Sequence, residues 1–584
     1  MAKTKTSNKV DQTAAVSQEP QSVTIAYDLF DLPTAQHKAG LAGLLLQIDS
    51  MNNRTKQQND LTKLPPSYEW DPQHPSTKVR VTFTQENVVS LFDDLYDADI
   101  VPTWFPQKKP KEHLLDQRIR EAGTSKIKEY LYDTIRPSLR TLRQHSAGPS
   151  AEALVRLWQD MIWGVPRGVN TNRIPFEVVA GWDRKRPMDQ RRVQKGHCPE
   201  AIRVWNAIRQ VNCKKVALKG HLWLGAQETT AERLEFLSSE VQSLLLHFWH
   251  LATLVFVPQT FKVKQRSGRI EVKRAYDGFA LAMPDILDLP DYCDRFRMTI
   301  ADLATQPCPK YGRPQTHIVE LPAQGAMSLI DHERQAALVK QIASGQGFRY
   351  SIAGVDYAHY RTSKNGPKLV GSGRLTVAPD LAERYADVIG SQFKNAYFRR
   401  GLLLALLNNV PWFRPFGKLF AELPAPLFVY SDKSPERWWF WADARKRLFQ
   451  ESQRMPNDPP PEEDVRLANA INGFIRQYLD ERLKSENSDW DYRVFRKNKH
   501  TDPNAAEARR KLAERLFLEF RSRNHQAFAS HFSGTFFRVP QFLGRDFGAI
   551  AADLMSRTDD VKTLTLMALS SNSWSPTPKK ENAQ

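Results

Sequence analysis

The first ordered signal along the chain has a period of two. Val23, Ile25 and Tyr27 alternate with Thr24, Ala26 and Asp28, which predicts a half-buried strand. After Pro33 the period becomes helical. Leu41, Leu44, Leu45 and Ile48 stand at i, i+3, i+4 and i+7, and Gly40 and Gly43 on the same stretch point to close packing against a neighbour. Val79, Val81 and Phe83 mark a second strand. Thr84 then suits the N-cap of a helix whose apolar face is Val88, Leu91, Phe92, Leu95 and Tyr96. A β-α-β-α opening predicts a mixed sheet with helices rather than a bundle.

Further on, Leu154, Leu157, Trp158, Met161 and Ile162 mark another helix. Phe261 to Arg274 reads as a β-hairpin: an alternating strand, a turn at Ser267-Gly268, and a return strand. Four prolines among the seven residues Met455 to Pro461 cannot continue a helix and predict a boundary. Beyond it the pattern is helical. Ile471, Phe474, Ile475 and Tyr478 form one face, and Asp502-Pro503 begins a helix with Leu512, Leu516 and Phe520 on its apolar side. The expected fold class is therefore α+β. A mixed α/β basic platform over residues 23–450 is followed by an all-α helical bundle over 455–584. Residues 1–22 are polar and aperiodic, and are expected to be a disordered leader.

Composition narrows the class. The 584 residues are 41% hydrophobic with 14 Trp and 30 Phe, enough to build a large core. Mean hydropathy is −0.53, and no apolar run approaches the roughly 18 residues of a membrane span. Four cysteines exclude a disulfide scaffold and suit a reducing compartment. Without the apolar core of a signal peptide, the expected location is the cytoplasm and no membrane partner is expected.

Charge changes the picture most. The net charge is +18, which points to a polyanionic partner. It is unevenly spread: residues 101–280 hold 31 Lys and Arg against 17 Asp and Glu, whereas residues 455–584 hold 20 against 18. Such concentration favours a phosphate-binding surface over diffuse solubilisation.

Catalytic patterns are missing. There is no phosphate-binding G-x-x-x-x-G-K-[ST] loop, no dinucleotide G-x-G-x-x-G unit and no G-x-S-x-G elbow. The four Cys show no C-x-x-C spacing, and His247 and His250, three apart on an apolar stretch, read as core histidines rather than metal ligands. No cofactor, metal site or enzymatic activity is expected.

Five segments carry binding chemistry. The loop Trp163 to Phe176 holds Arg167, Asn170, Asn172 and Arg173 after a helix. Asn and Arg make bidentate bonds to base edges, so Asn170, Asn172 and Arg173 are candidate readers and Arg167 a backbone contact; the plain alternative is a capped turn. The run Trp182 to Gly196 crowds Arg184, Lys185, Arg186, Arg191, Arg192 and Lys195 together without helical periodicity, as a phosphate-contacting loop or an exposed basic face. On the hairpin, Lys262, Lys264 and Arg266 share one face and Phe261 and Val263 the other, with Arg269, Lys273 and Arg274 on or near the return strand. Such a hairpin can enter a groove, with Gln265 and Arg266 at its tip touching base edges, or simply be charged against aggregation. Glu436 to Arg447 mixes tryptophans with basic residues. It is read chiefly as core or an interdomain anchor, with stacking of unpaired bases as the functional alternative. Arg493, Arg496, Lys497 and Lys499 lie in a loop of the bundle and suit a displaced single strand.

Two regions, one of them the loop after Trp163, resemble a known family. Phe30 to Met51 (FDLPTAQHKAGLAGLLLQIDSM) and Arg167 to Phe176 (RGVNTNRIPF) are similar to segments of the large subunits of type I-B CRISPR effector complexes. The resemblance implies a subunit beside the 5′ handle of the guide RNA, without catalytic activity. It would inspect the protospacer-adjacent motif in target double-stranded DNA, help open the duplex and steady the R-loop. Its partners would be backbone, handle-binding and small subunits, and a helicase-nuclease that docks on it. The motif is read by protein while guide pairing reads the rest. A C-terminal bundle similar to the small subunit fits residues after Met455, and the internal Met455 is expected to start a 130-residue fragment able to fold alone. The competing expectation is a metal-dependent nuclease acting on guide RNA or DNA, built from carboxylates distant in sequence.

Overall fold

The computed structural model describes residues 22–58, 64–105, 107–108, 114–122, 125–165, 173–210, 215–218, 222–227, 236–266, 269–307, 313–345, 347–363, 366–430, 434–435, 438–452, 463–486, 503–537 and 547–573. Strand β1 (Ser22–Asp28) pairs antiparallel with β3 (Lys78–Thr84), which also pairs with β2 (Ser67–Trp70). The alternation read from the sequence is the buried face here: Ile25, Tyr27, Val79, Val81 and Phe83 all point inward.

Between these strands runs the helix Ala35–Gln58. A Cβ on Gly40 or Gly43 would overlap the carbonyl oxygens of Leu245 and Phe248, so both glycines allow the close approach that their spacing predicted. The helix Gln85–Leu95 starts with a reciprocal cap. The Thr84 hydroxyl accepts from the Asn87 amide at 3.3 Å, and the Asn87 side chain accepts from the Thr84 amide at 2.8 Å.

A second three-stranded sheet, in the order β4-β6-β5, is built from β4 (Ala98–Phe105), β5 (Asp116–Ala122) and β6 (Ser125–Pro137). A short ribbon pairs β7 (Lys215–Ala217) with β8 (Leu237–Ser239). The largest sheet runs β10-β9-β11-β13-β14: β9 (Leu254–Arg266), β10 (Arg269–Tyr276), β11 (Phe279–Ile286), β13 (Ile352–Ser363) and β14 (Gly366–Thr376). The short β12 (Ile318–Val319) lies parallel to β9.

Two large cores result. The first joins the first sheet, the start of the largest sheet and the helices around them. The second is helical. It combines Ala396–Leu407, Arg414–Glu422 and Phe440–Ser452 with Glu463–Glu486, Pro503–Arg521, His525–Phe536, Phe547–Ser556 and Thr558–Asn572. Its centre is Thr558–Asn572, where Val561, Leu564, Leu566, Met567, Ala568 and Leu569 are buried on every side, as an interior helix requires. Phe398, Phe416, Phe420, Phe428 and Phe440 pack edge to face around it, and Phe517 reaches them from beyond the proline-rich segment.

The α+β class stands. The helical core, however, begins near Phe393, some sixty residues before Met455. The helices before and after residues 455–461 share one core, so the boundary expected there does not divide two cores. That segment lies outside the described residues, as do residues 1–21 of the leader expected over 1–22, while Ser22 already belongs to β1.

Strand β9 ties the cores together. Leu254 to Val257 are buried in the first, whereas Phe261 and Val263 pack on the second. Thirteen residues at about 3.3 Å each make it about 40 Å long.

Candidate nucleic-acid interface

The helix Ala151–Gly164 ends beside β6, where the Trp163 indole N–H donates to the Ile135 carbonyl at 3.0 Å. The next helix, Ile174–Ala180, takes Pro175 in its first turn and stops at Gly181, whose φ of 75° only glycine adopts cheaply. Phe176 on this helix packs edge-on against Trp163 and Tyr96. The Arg173 guanidinium lies 4.9 Å over the Trp163 ring. Burial, together with the neighbouring Arg184, lowers its pKa. Arg173 thus closes the two ends of the loop on each other like a clasp. The loop itself, with Arg167, Asn170 and Asn172, lies outside the described residues.

The basic run folds back on itself. Trp182 bridges to Arg192, the Asp183 amide donates to the Arg191 carbonyl at 2.8 Å, and the Val193 amide donates to the Gly181 carbonyl at 2.8 Å. The run itself holds only two acids, Asp183 and Asp189, and the structure brings further counter-charges from outside it. Arg184 forms a two-pronged ion pair with Glu177, a buried carboxylate on the preceding helix. Arg192 forms another with Asp133 on β6, at 3.0 and 2.9 Å. Arg186 meets Asp183 at 3.3 Å in solvent, a contact worth little. The Arg191 guanidinium lies 6.0 Å from the centre of the Trp182 ring. Lys185 and Lys195 are exposed and have no ion-pair partner among the described residues.

The hairpin forms as its alternation predicts. Val263 faces Val272, Lys262 faces Lys273 and Lys264 faces Glu271. Phe261, Val263, Val272 and Ile270 turn towards the helical core, with the Phe261 ring 5.4 Å from Tyr397 and 6.0 Å from Trp438. Lys262, Lys264 and Lys273 occupy the opposite, solvent face, where Lys273 meets Glu271 at 3.3 Å. Lys262, Lys264 and Arg274 are exposed and have no ion-pair partner among the described residues. At the tip, Arg266 and Arg269 stand opposite one another. Gln265 is exposed and, by register, shares the side of Val263 rather than that of Arg266.

The tryptophan cluster is largely core. Phe440 and Trp441 are buried, and the Trp438 indole donates to the Leu427 carbonyl at 2.7 Å. Only Trp439 faces outward, 39% exposed. Arg493, Arg496, Lys497 and Lys499 lie outside the described residues. His247 and His250 are core histidines; His247 shares a 2.7 Å hydrogen bond with the Tyr96 hydroxyl and packs on Phe92. Cys198 and Cys293 are buried, and desolvation pushes both thiols up to about 12. Among the described residues no three His, Cys, Asp or Glu side chains cluster to hold a metal ion. No described helix is long and apolar enough to cross a membrane.

One basic surface escaped the sequence reading. Strands β5 and β6 carry Arg118, Arg120, Lys126 and Lys128 beside the run. Arg118 and Arg120 share Glu129 at 2.9 and 3.0 Å, and Arg118 lies 4.2 Å over Trp104. The strand alternation on either side of Gly123-Thr124 was the signal available for it.

No curated protein is similar enough to the chain to count as a match. Two family models do match: the type I-B CRISPR Cas8b N-terminal domain over residues 73–342, and the type I-B CRISPR Cas8b C-terminal domain over residues 352–572. The two matches follow one another in the expected order and together span most of the chain. The protein therefore belongs to the type I-B CRISPR Cas8b family, the large subunit of a type I-B effector complex.

Proposed function

We propose that this large subunit inspects duplex DNA for the protospacer-adjacent motif, helps open the duplex, and steadies the displaced strand while the guide RNA pairs. The observation that supports the reading is the set of cations without an ion-pair partner among the described residues: Lys185 and Lys195 on the folded-back run, and Lys262, Lys264 and Arg274 on the hairpin. Cations without ion-pair partners are the ones free to displace counterions from phosphate. Asn170 and Asn172, in the loop whose ends Arg173 clasps to Trp163, are the base readers. Guide RNA, the other effector subunits and a helicase-nuclease are the partners of this role.

The test is a gel shift with the assembled complex and target duplexes that differ only in the motif. Replacing Asn170 and Asn172 with Ala should remove the preference for the correct motif by about 1–3 kcal/mol per lost bidentate contact. Binding to unrelated duplex should be nearly unchanged. A retained motif preference in that variant assigns the reading to another element.

A further inference from the structure

Two of the four described non-glycine residues with positive φ, Gln392 (52°) and Trp439 (33°), lie on segments packed against each other. A tryptophan in this region of φ is rare and strained, and persists only where its surroundings over-determine it. The surroundings do so here. The Trp438 indole is held by the Leu427 carbonyl at 2.7 Å, and the Trp438 carbonyl accepts from the Asn395 side chain at 3.0 Å. The buried Asp443 carboxylate accepts from the Asn395 amide at 2.6 Å, and the Asp443 amide donates to the Trp439 carbonyl at 3.1 Å. With Phe440 wholly buried and Trp441 nearly so, the backbone has one way to pass, and it drives the Trp439 ring outward.

Cations gather around that ring among the described residues. The Lys394 ammonium lies 5.3 Å over it, and Lys446 sits 5.5 Å over the neighbouring Phe393 while bonding the Ser391 carbonyl. Arg400 is close enough to Tyr397 to act on its hydroxyl. The acid on this patch, Asp443, is turned inward.

We propose that Trp439 is a stacking site for an unpaired nucleobase of a single-stranded nucleic acid, with Lys394 and Lys446 on its phosphates. Aromatic rings stack bases without regard to sequence, and cations beside them follow the backbone. The hairpin's Phe261 packs on Trp438, the residue before Trp439. The site rests on the proposed function, since an opened duplex supplies the unpaired base.

The test uses the assembled complex and a single-stranded oligothymidylate. Trp439→Ala should weaken its binding by about fivefold to a hundredfold, and Trp439→Phe should restore most of it. The salt dependence should stay the same, because stacking releases no counterions. Unchanged oligothymidylate affinity in Trp439→Ala overturns the proposal. So does an equal loss in Trp439→Phe, or loss of another subunit from the complex, which makes the ring a protein contact. A complex that binds the oligothymidylate through Trp439 but ignores the duplex motif supports the stacking site and overturns the motif reading instead.

Discussion

Two double substitutions in the segment 182–196 remove the same charge and should behave differently. Lys185 and Lys195 have no ion-pair partner among the described residues, whereas Arg184 and Arg192 are each clamped on a carboxylate, Glu177 and Asp133. Each cation that contacts phosphate contributes about 0.9 to the slope of log affinity against log salt. Lys185→Ala with Lys195→Ala should therefore make the slope shallower by about 1.8. Between 50 and 200 mM salt this is about a tenfold difference in how far affinity falls. Arg184→Ala with Arg192→Ala should leave the slope nearly as it was. Its cost is to folding, because Glu177 becomes a buried carboxylate without its partner, at about 1–3 kcal/mol, and Asp133 adds less because Arg192 lies largely in solvent. Salt titration of duplex binding, alongside chemical denaturation, separates the two. Equal slope changes in both variants would refute the division between free and committed cations.

Three further outcomes follow from packing and protonation. Gly43→Ala places a Cβ on the Phe248 carbonyl oxygen, a backbone atom, and should cost about 1–3 kcal/mol in a denaturant midpoint; an unchanged midpoint contradicts the close approach. Burial holds His37 at about 4 and His317 at about 3, so both stay neutral in the folded protein while the unfolded chain protonates below its own value of 6.5. Stability should fall as pH drops from about 6.5 towards 4, by about 2 kcal/mol per imidazole at pH 5, and His317→Phe should flatten that fall in a pH series of denaturation curves. A fragment beginning at Met455 lacks the helices Ala396–Leu407, Arg414–Glu422 and Phe440–Ser452 that cover Thr558–Asn572, and should bind a hydrophobic dye. A fragment beginning near Pro379 should unfold cooperatively by circular dichroism, and the reverse order would contradict a single helical core.

The elements that local pattern fixes were legible in the chain: the strands β1 and β3, the glycine-faced helix, the Thr84 cap and the hairpin are each set by residues within a few positions of one another. What escaped was decided at long range. Arg192 and Asp133 are fifty-nine positions apart, and nothing near Arg192 shows that its charge is committed. The prolines at 455–461 read as a boundary in the sequence, yet tertiary packing places Phe440 and Phe517 in the same core. Among Trp438, Trp439 and Trp441, composition cannot say which ring turns outward, because Leu427 and Asn395 set the backbone between them. The reading of Asn170 and Asn172 still rests on side-chain chemistry and on the clasp that frames their loop.

The hairpin leaves the first core after Val257 and returns to it at Phe279. Between those points it lies as a tongue against the helical half, lysines on its back. A tongue of this kind joins the two cores through one continuous strand. Any polyanion gripped by Lys262 and Lys264 is anchored to both cores at once, so a rocking of one against the other would be felt as a pull along the grip. In that sense the strand is a lever whose handle is charged.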